Sequence, residues 1–324
     1  MKENNLEFDL LNENPQIDNK IITGLGIPYM GSKRRIAPQI VDFILQENPK
    51  TKYFYDLFGG GGAISFYALQ KGLEVYYNEL NKGVVSLLND IKENGITENY
   101  YQWIDRETFH KHKNDDDWFG GLVKTVWSFG NRGVTYLFGP DNEKIKKILH
   151  DIVVNKSLDS RNKFSNFYNL FIPDNLIVNN LSVNERRLGI MSFIKLNKKD
   201  RIELQQLEQL EQLERLEQLQ QLEQLEQLEQ LEGLKIINLS YEKVPIITPI
   251  EETIIYLDPP YKDRETYQRD VNHEELYDFF KKSPYKIYMS SYEAPFKVVL
   301  EIEKVQSLTS NSRKKVIERL YFNK

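Results

Sequence analysis

The sequence predicts an α/β protein with a doubly wound mixed sheet, a mostly helical insertion and a Leu-Glu-Gln repeat helix. Two observations predict its sheet. Two strand-like runs, Lys52 to Phe58 and Leu73 to Tyr77, surround a break of four glycines, Gly59 to Gly62, and a helix start. Strand, glycine turn and helix form the opening of a nucleotide-binding doubly wound sheet. A third apolar run, Ile254 to Leu257, ends in Asp258-Pro259-Pro260-Tyr261. Proline cannot continue a central strand, so the chain leaves the sheet there with Asp258 at the strand's carboxyl edge. The expected organisation is a loosely attached or disordered terminus at 1–20 and a body formed by 21–90 and 235–324. An inserted region at 91–200 and a repeat at 201–234 interrupt that body.

At 324 residues the chain can bury a full core, and 40% hydrophobic with 28% charged residues is ordinary for a globular protein. The absence of cysteine excludes disulfides and thiolate zinc sites. No apolar run approaches the roughly 18 residues that cross a membrane, and Met1 to Lys20 has no signal-peptide core. A cytoplasmic location is expected. The net charge of -5 is dominated by residues 203–232, which carry nine Glu and one Arg. Without them 42 basic residues face 39 acidic ones, so the rest of the chain is mildly basic and permits a polyanionic partner.

The first ordered feature runs from Pro28 through Tyr29, Gly31 and Lys33 to Arg35, followed by Ile36, Ile40, Val41, Ile44 and Leu45 at helical spacing. A glycine turn enters an amphipathic helix with three cations at its mouth. Helix starts usually favour acids, so these cations suit an anionic ligand, or else form a solvated charged face. The glycines at 59–62 then let backbone approach a ligand closely. They are not a phosphate-binding loop of the Gly-Lys-Ser/Thr kind. Glu79 follows roughly twenty residues later, where doubly wound folds keep an acid for ribose hydroxyls. It equally suits a helix-capping acid before Gly83.

From Ile91 to Asp200 aromatic, basic and glycine residues interleave, above all between Lys124 and Gly139. Nucleic-acid surfaces use such mixtures, and so does a small accessory core. Ile145, Ile148, Leu149 and Ile152 mark a helix. His110 and His112 lack a third metal ligand, and no metal site is predicted. In the repeat, leucine recurs at every third position from Leu204 to Leu234. An α-helix turns about 300° in three residues, so the leucine row winds around the rod rather than forming a heptad seam. A helical arm about 45 Å long is expected. Beyond it, short strands at Lys235 to Leu239 and Tyr285 to Met289, a helix at His273 to Lys282, and a hairpin of Val305 to Thr309 with Val316 to Phe322 complete the body.

Taken in order, Tyr29-Met30-Gly31-Ser32-Lys33, Phe58-Gly59-Gly60-Gly61-Gly62 and Asp258-Pro259-Pro260-Tyr261 resemble the Dam-type DNA adenine-N6 methyltransferases. The resemblance covers nearly everything from Ile27 onward except the repeat, and the ordered set is far more specific than any one motif. It implies a Rossmann-like methyltransferase fold, S-adenosylmethionine as cofactor and double-stranded DNA as substrate, with 91–200 as target-recognition region. It also implies a nucleoid association through DNA and no membrane; no obligatory protein partner is evident. On that resemblance Tyr29, Lys33, Phe58, Gly59, Gly60, Gly62, Glu79 and Asp258 border the cofactor. Asp258, Pro259, Pro260 and Tyr261 are the catalytic set, and Lys124, Arg132 and Tyr136 are the expected DNA contacts.

The implied chemistry is physically sensible. An exocyclic adenine nitrogen is a poor nucleophile because its lone pair is delocalised into the ring. Accepting its N–H bonds at the Asp258 carboxylate and the Pro259 carbonyl localises that pair. Tyr261 would stack on the base, which must first leave the duplex. Ser240-Tyr241 stands where this family often has an acid. Similar turns also serve enzymes that methylate cytosine N4 or RNA, and a catalytically idle DNA-binding protein is a further alternative.

Overall fold

The computed structural model describes residues 26–197, 218–219, 221, 233–260, 271–309 and 312–324, with backbone alone at 305–309 and 312–314. The sheet has seven strands. In chain order they are β1 (Tyr53–Asp56), β2 (Glu74–Asn78), β3 (Leu234–Ile237), β4 (Thr253–Leu257), β5 (Lys286–Ser291), β6 (Val298–Thr309) and β7 (Ser312–Phe322). Their spatial order is β3-β2-β1-β4-β5-β7-β6. The first five are mutually parallel, and the β6–β7 hairpin closes the sheet antiparallel against β5. From β1 the chain winds one way through β2 and the other way through β4, so the order reverses between β1 and β4. That reversal opens a crevice beyond the carboxyl ends of the strands.

Strand alternation sorts the aromatic-rich runs onto two faces. Phe54, Val75, Tyr77, Ile254 and Tyr256 join one core with Ile40 and Val41 of α1 (Ala37–Glu47), Phe66 of α2 (Ala63–Gln70) and Leu87 of α3 (Lys82–Asn94). Tyr55, Tyr76, Ile255 and Leu257 face the other way, against Leu276 and Phe280 of α9 (His273–Lys282). Every residue of β4 is buried, as a strand covered on both faces requires.

The insertion carries α4 (Arg106–His112), α5 (Trp118–Val126), α6 (Pro140–Val153), α7 (Leu158–Tyr168) and α8 (Val183–Asn197). Asp105 and Asp117 cap α4 and α5 by accepting from Thr108 N and Gly120 N, each at 2.8 Å. The helix expected at Ile145 to Ile152 begins earlier, because Pro140 suits a first helical position. α5 lies on α3 at backbone contact: a Cβ on Gly121 would fall 2.0 Å from Gly83 O. Leu122, Val123 and Trp127 therefore share one core with Leu87 and Ile91.

The closing hairpin is longer than the sequence predicts, since β6 starts at Val298 rather than Val305. Glu301 and Glu303 break the apolar pattern there, yet they point outward onto Arg319 at 2.8 Å and Lys315 at 2.5 Å, with Ile302 inward. The predicted repeat helix lies outside the described residues except for Gln218, Leu219 and Gln221, of which Leu219 joins the core. The terminus at 1–20 and residues 261–270, Tyr261 included, also lie outside them. Among the described residues no helix is long and apolar enough to cross a membrane, and no group of acids and histidines is arranged to hold a metal ion.

Candidate active site

Asp258 is the first residue beyond β4, and the two prolines behind it fix the direction in which the chain departs. Its side chain keeps 23% of its surface exposed, toward the crevice. Lys33, from the turn that leads into α1, donates to Asp258 Oδ1 at 2.6 Å. The same ammonium lies 3.2 Å from Glu318 Oε1 on β7, and Glu318 also pairs with Lys304 on β6. Lys33 and Glu318 are nearly inaccessible. Among the described residues two cations and two carboxylates thus meet in one part-buried cluster, where their pairing offsets a desolvation cost on the order of several kcal/mol per ion. Burial pushes the Asp258 carboxyl above the usual range, Lys33 pulls it down and Glu318 pushes it up again; the net direction is upward.

The glycine loop is pinned from several sides. Gly62 adopts φ 78°, the left-handed region open to glycine, and leads into α2. A Cβ on Gly59 would lie 2.1 Å from the Tyr77 ring. Gly60 N donates to Glu79 Oε2 at 2.8 Å, Tyr77 OH to Gly60 O at 2.6 Å, and Ile27 N to Gly61 O at 2.8 Å. At Gly59 a side chain is excluded by the chain's own Tyr77 ring. Tyr29 packs against Gly60 and Gly61, and the ring of Phe58 lies 5.2 Å from that of Tyr241.

Glu79 is not the cap of α3. Asn81 fills that role, accepting from Val84 N at 3.3 Å. Glu79 instead accepts from Asn81 N and Gly60 N, tying the second strand's end to the glycine loop. Burial pushes its carboxyl upward, against those hydrogen bonds and the Lys124 cation. Asp56, at the end of β1, accepts from Ser65 Oγ at 2.7 Å through Oδ2, while its buried Oδ1 has no hydrogen-bond partner among the described residues. Burial raises Asp56 to about 7, with Ser65 opposing and Asp258 adding to the rise. Ser240, where an acid was expected, donates to Glu242, which lines the crevice edge.

The three expected DNA contacts do not stay together. Tyr136 is 2% exposed, its OH donates to Ile104 O at 2.6 Å, and Arg106 stacks on its ring; it is a core residue of the insertion and not a surface contact. Lys124 is half-buried, lies over Gly133, and faces Glu79 across the crevice rather than open solvent. Arg132 is exposed on the crevice rim, beside Phe129, which is 68% exposed on the same turn. The Ser128–Tyr136 bridge closes that turn from below.

One cavity of about 1740 Å³ joins Asp258 and Lys33 to Glu79 and Phe58 on the sheet and to Lys124 and Arg132 on the insertion. A pocket for one small ligand spans roughly 300–1,000 Å³, so this cavity has room for more than one. A family model described as D12 class N6 adenine-specific DNA methyltransferase matches residues 29–321. The chain belongs to that family. Its Dam-type resemblance is borne out, and this adenine-specific DNA methyltransferase has the mixed, mostly parallel sheet that the resemblance implies. The matched span begins at Tyr29 and includes the turn bearing Lys33, Asp258 and Glu318. A comparison with curated proteins finds no match to the chain.

Residues missed at the sequence level are Asp56, Lys304, Glu318 and Phe129. Asp56 carried a signal, being the acid that ends the strand before the glycine turn. Glu318 and Lys304 carried none, because they sit in an alternating hairpin that reads as solvated charge.

Proposed function

We propose that this chain transfers the methyl group of S-adenosylmethionine to N6 of an adenine turned out of double-stranded DNA. The observation that carries the reading is the Asp258 carboxylate, held at the end of β4 by Lys33 and facing a cavity large enough for cofactor and base together. The residue set suits the cofactor. The orphaned Asp56 Oδ1 offers a buried acceptor for an ammonium group, and the Glu79 carboxylate keeps lone pairs for ribose hydroxyls after accepting its two backbone N–H bonds. Tyr29, Lys33, Phe58, Gly59, Gly60, Gly62, Glu79 and Asp258 would hold it. When bound, it supplies a methyl group made electrophilic by a positively charged sulfur.

The chain's own part is to prepare the nucleophile. Asp258 accepts one N–H of the adenine amino group and the Pro259 carbonyl accepts the other, which frees the nitrogen lone pair from the ring. The nitrogen sheds one proton as its new bond forms, and Asp258, whose acidity burial weakens, is placed to take it. Tyr261 is proposed to stack on the base. Arg132 serves as a phosphate contact, and the exposed Phe129 ring beside it is suited to fill space in an opened base stack. Lys124 belongs to the Glu79 side of the cavity.

The test is methylation of a mixed-sequence duplex by the purified chain with labelled S-adenosylmethionine, followed by nucleoside digestion and mass analysis. N6-methyladenine is the expected product. Label in N4-methylcytosine, or cofactor and DNA binding with no transfer, would each overturn the reading.

A further inference from the structure

Glu318 sits on β7, which is separated from β4 by β5, yet its side chain reaches back to the ammonium that holds Asp258. A carboxylate 1% exposed is retained at such a place only with close partners, and here Oε1 meets Lys33 while Oε2 meets Lys304. Among the described residues the Lys33 ammonium thus meets two carboxylates, donating to Asp258 Oδ1 at 2.6 Å and pairing with Glu318 Oε1 at 3.2 Å.

That arrangement matters for the transfer proposed above. A lysine with Asp258 as its sole anchor would compete with the adenine amino group for the carboxylate. A second buried acceptor within reach lets the ammonium loosen its hold without leaving the site. We infer that Glu318 is a positioning residue, which anchors Lys33 beside Asp258 and receives its hydrogen bond when the target amino group occupies the carboxylate. Lys304 holds Glu318 in turn from the neighbouring strand. The inference rests on Asp258 being the group that binds the amino nitrogen.

Among the described residues the groups whose charge acts on Asp258 include Lys33 from the turn before α1, Glu318 from β7, Lys304 from β6, Asp56 from β1 and Tyr256 from β4. Glu318 is the one whose charge acts on Asp258 both directly and through Lys33. Its removal must move the Asp258 titration to lower pH, since its negative charge pushes that titration up.

The experiment compares wild type, Glu318→Gln, Glu318→Asp and Asp258→Asn in steady-state methylation of duplex DNA, with kcat, both KM values and the pH profile of kcat. Glu318→Gln is expected to lower kcat about 10- to 100-fold with KM for S-adenosylmethionine within about threefold. The acid limb of its kcat profile should move to lower pH, and Glu318→Asp should recover most of the loss. Should Glu318→Gln not fold, the charge-balanced Lys304→Met/Glu318→Gln variant takes its place. Unchanged kcat, or equal losses in Gln and Asp variants with an unmoved acid limb, would overturn the inference. Absent transfer by wild type, or full transfer by Asp258→Asn, would instead overturn the parent reading.

Discussion

Lys33 Nζ lies 2.6 Å from Asp258 Oδ1, joining residues 225 positions apart in the chain. The lysine comes from the turn before α1 and the aspartate from the turn after the fourth strand. Both line the cavity, and their contact places a cation against the carboxylate proposed to receive the base.

Asp258→Asn keeps the shape of that carboxylate but replaces one acceptor with an amide donor. Turned toward Lys33, the amide oxygen leaves its NH₂ facing the adenine amino group, donor against donor. Methyl transfer should fall at least about 1,000-fold. Because Glu318 still anchors Lys33, the melting temperature should move by no more than about 5 °C. Transfer at even a tenth of the wild-type rate would refute the assigned role.

Glu79→Gln removes a charge and one of the two acceptors that serve Gly60 N and Asn81 N. The loop and the proposed ribose site share that side chain. Binding of S-adenosylmethionine, read by calorimetry without DNA, should weaken about 10- to 100-fold, as loss of a charged hydrogen-bond acceptor costs about 1.5–3 kcal/mol. Unaltered affinity would mean that Glu79 serves the loop alone.

Arg132→Ala and Lys124→Met separate two roles on the insertion's side of the cavity. The arginine variant should weaken DNA binding and reduce the slope of log affinity against log salt by about 1. The lysine variant should leave that slope in place and weaken cofactor binding, since it faces Glu79. The opposite pattern in a salt titration would reverse the assignment.

Tyr136→Phe should behave as a core substitution. It strips the hydroxyl from the buried Ile104 carbonyl and should cost about 1–3 kcal/mol in chemical denaturation. DNA affinity at fixed salt should not change; a selective loss of affinity with intact stability would restore it as a contact.

His150 adds an acid-sensitive element to the insertion. Its ring is buried beside Trp103 and Trp127, with neither nitrogen hydrogen-bonded among the described residues, and burial lowers it to about 4. The unfolded chain therefore binds the extra proton first, near pH 6.5, and stability falls as pH drops from there toward 4. The full loss is about 3 kcal/mol by linkage. His150→Phe should flatten the melting-temperature profile across that window; an identical profile would show that another group governs it.

The sheet was legible in sequence where its strands are short, apolar and ended by breakers. Ile254 to Leu257 stops at Pro259, and the run through Phe54 stops at the glycines, because both signals are local. The hairpin start was not legible, since Glu301 and Glu303 look like loop residues until Arg319 and Lys315 stand opposite them. The aromatic-basic segment was ambiguous for a similar reason. Tyr136 and Arg132 are four residues apart, and the turn between them alone decides that one is core and the other rim.

By itself the sequence determined the order of elements, the glycine turn and the acid at the edge of β4, all set by backbone restrictions acting over a few residues. Tertiary structure alone decided that Lys33 would meet Asp258, that Glu318 would hold Lys33, and that Lys124 would face Glu79. Those pairs depend on the strand order β1-β4-β5-β7 and on α5 packing against α3, and no local propensity encodes which distant elements become neighbours.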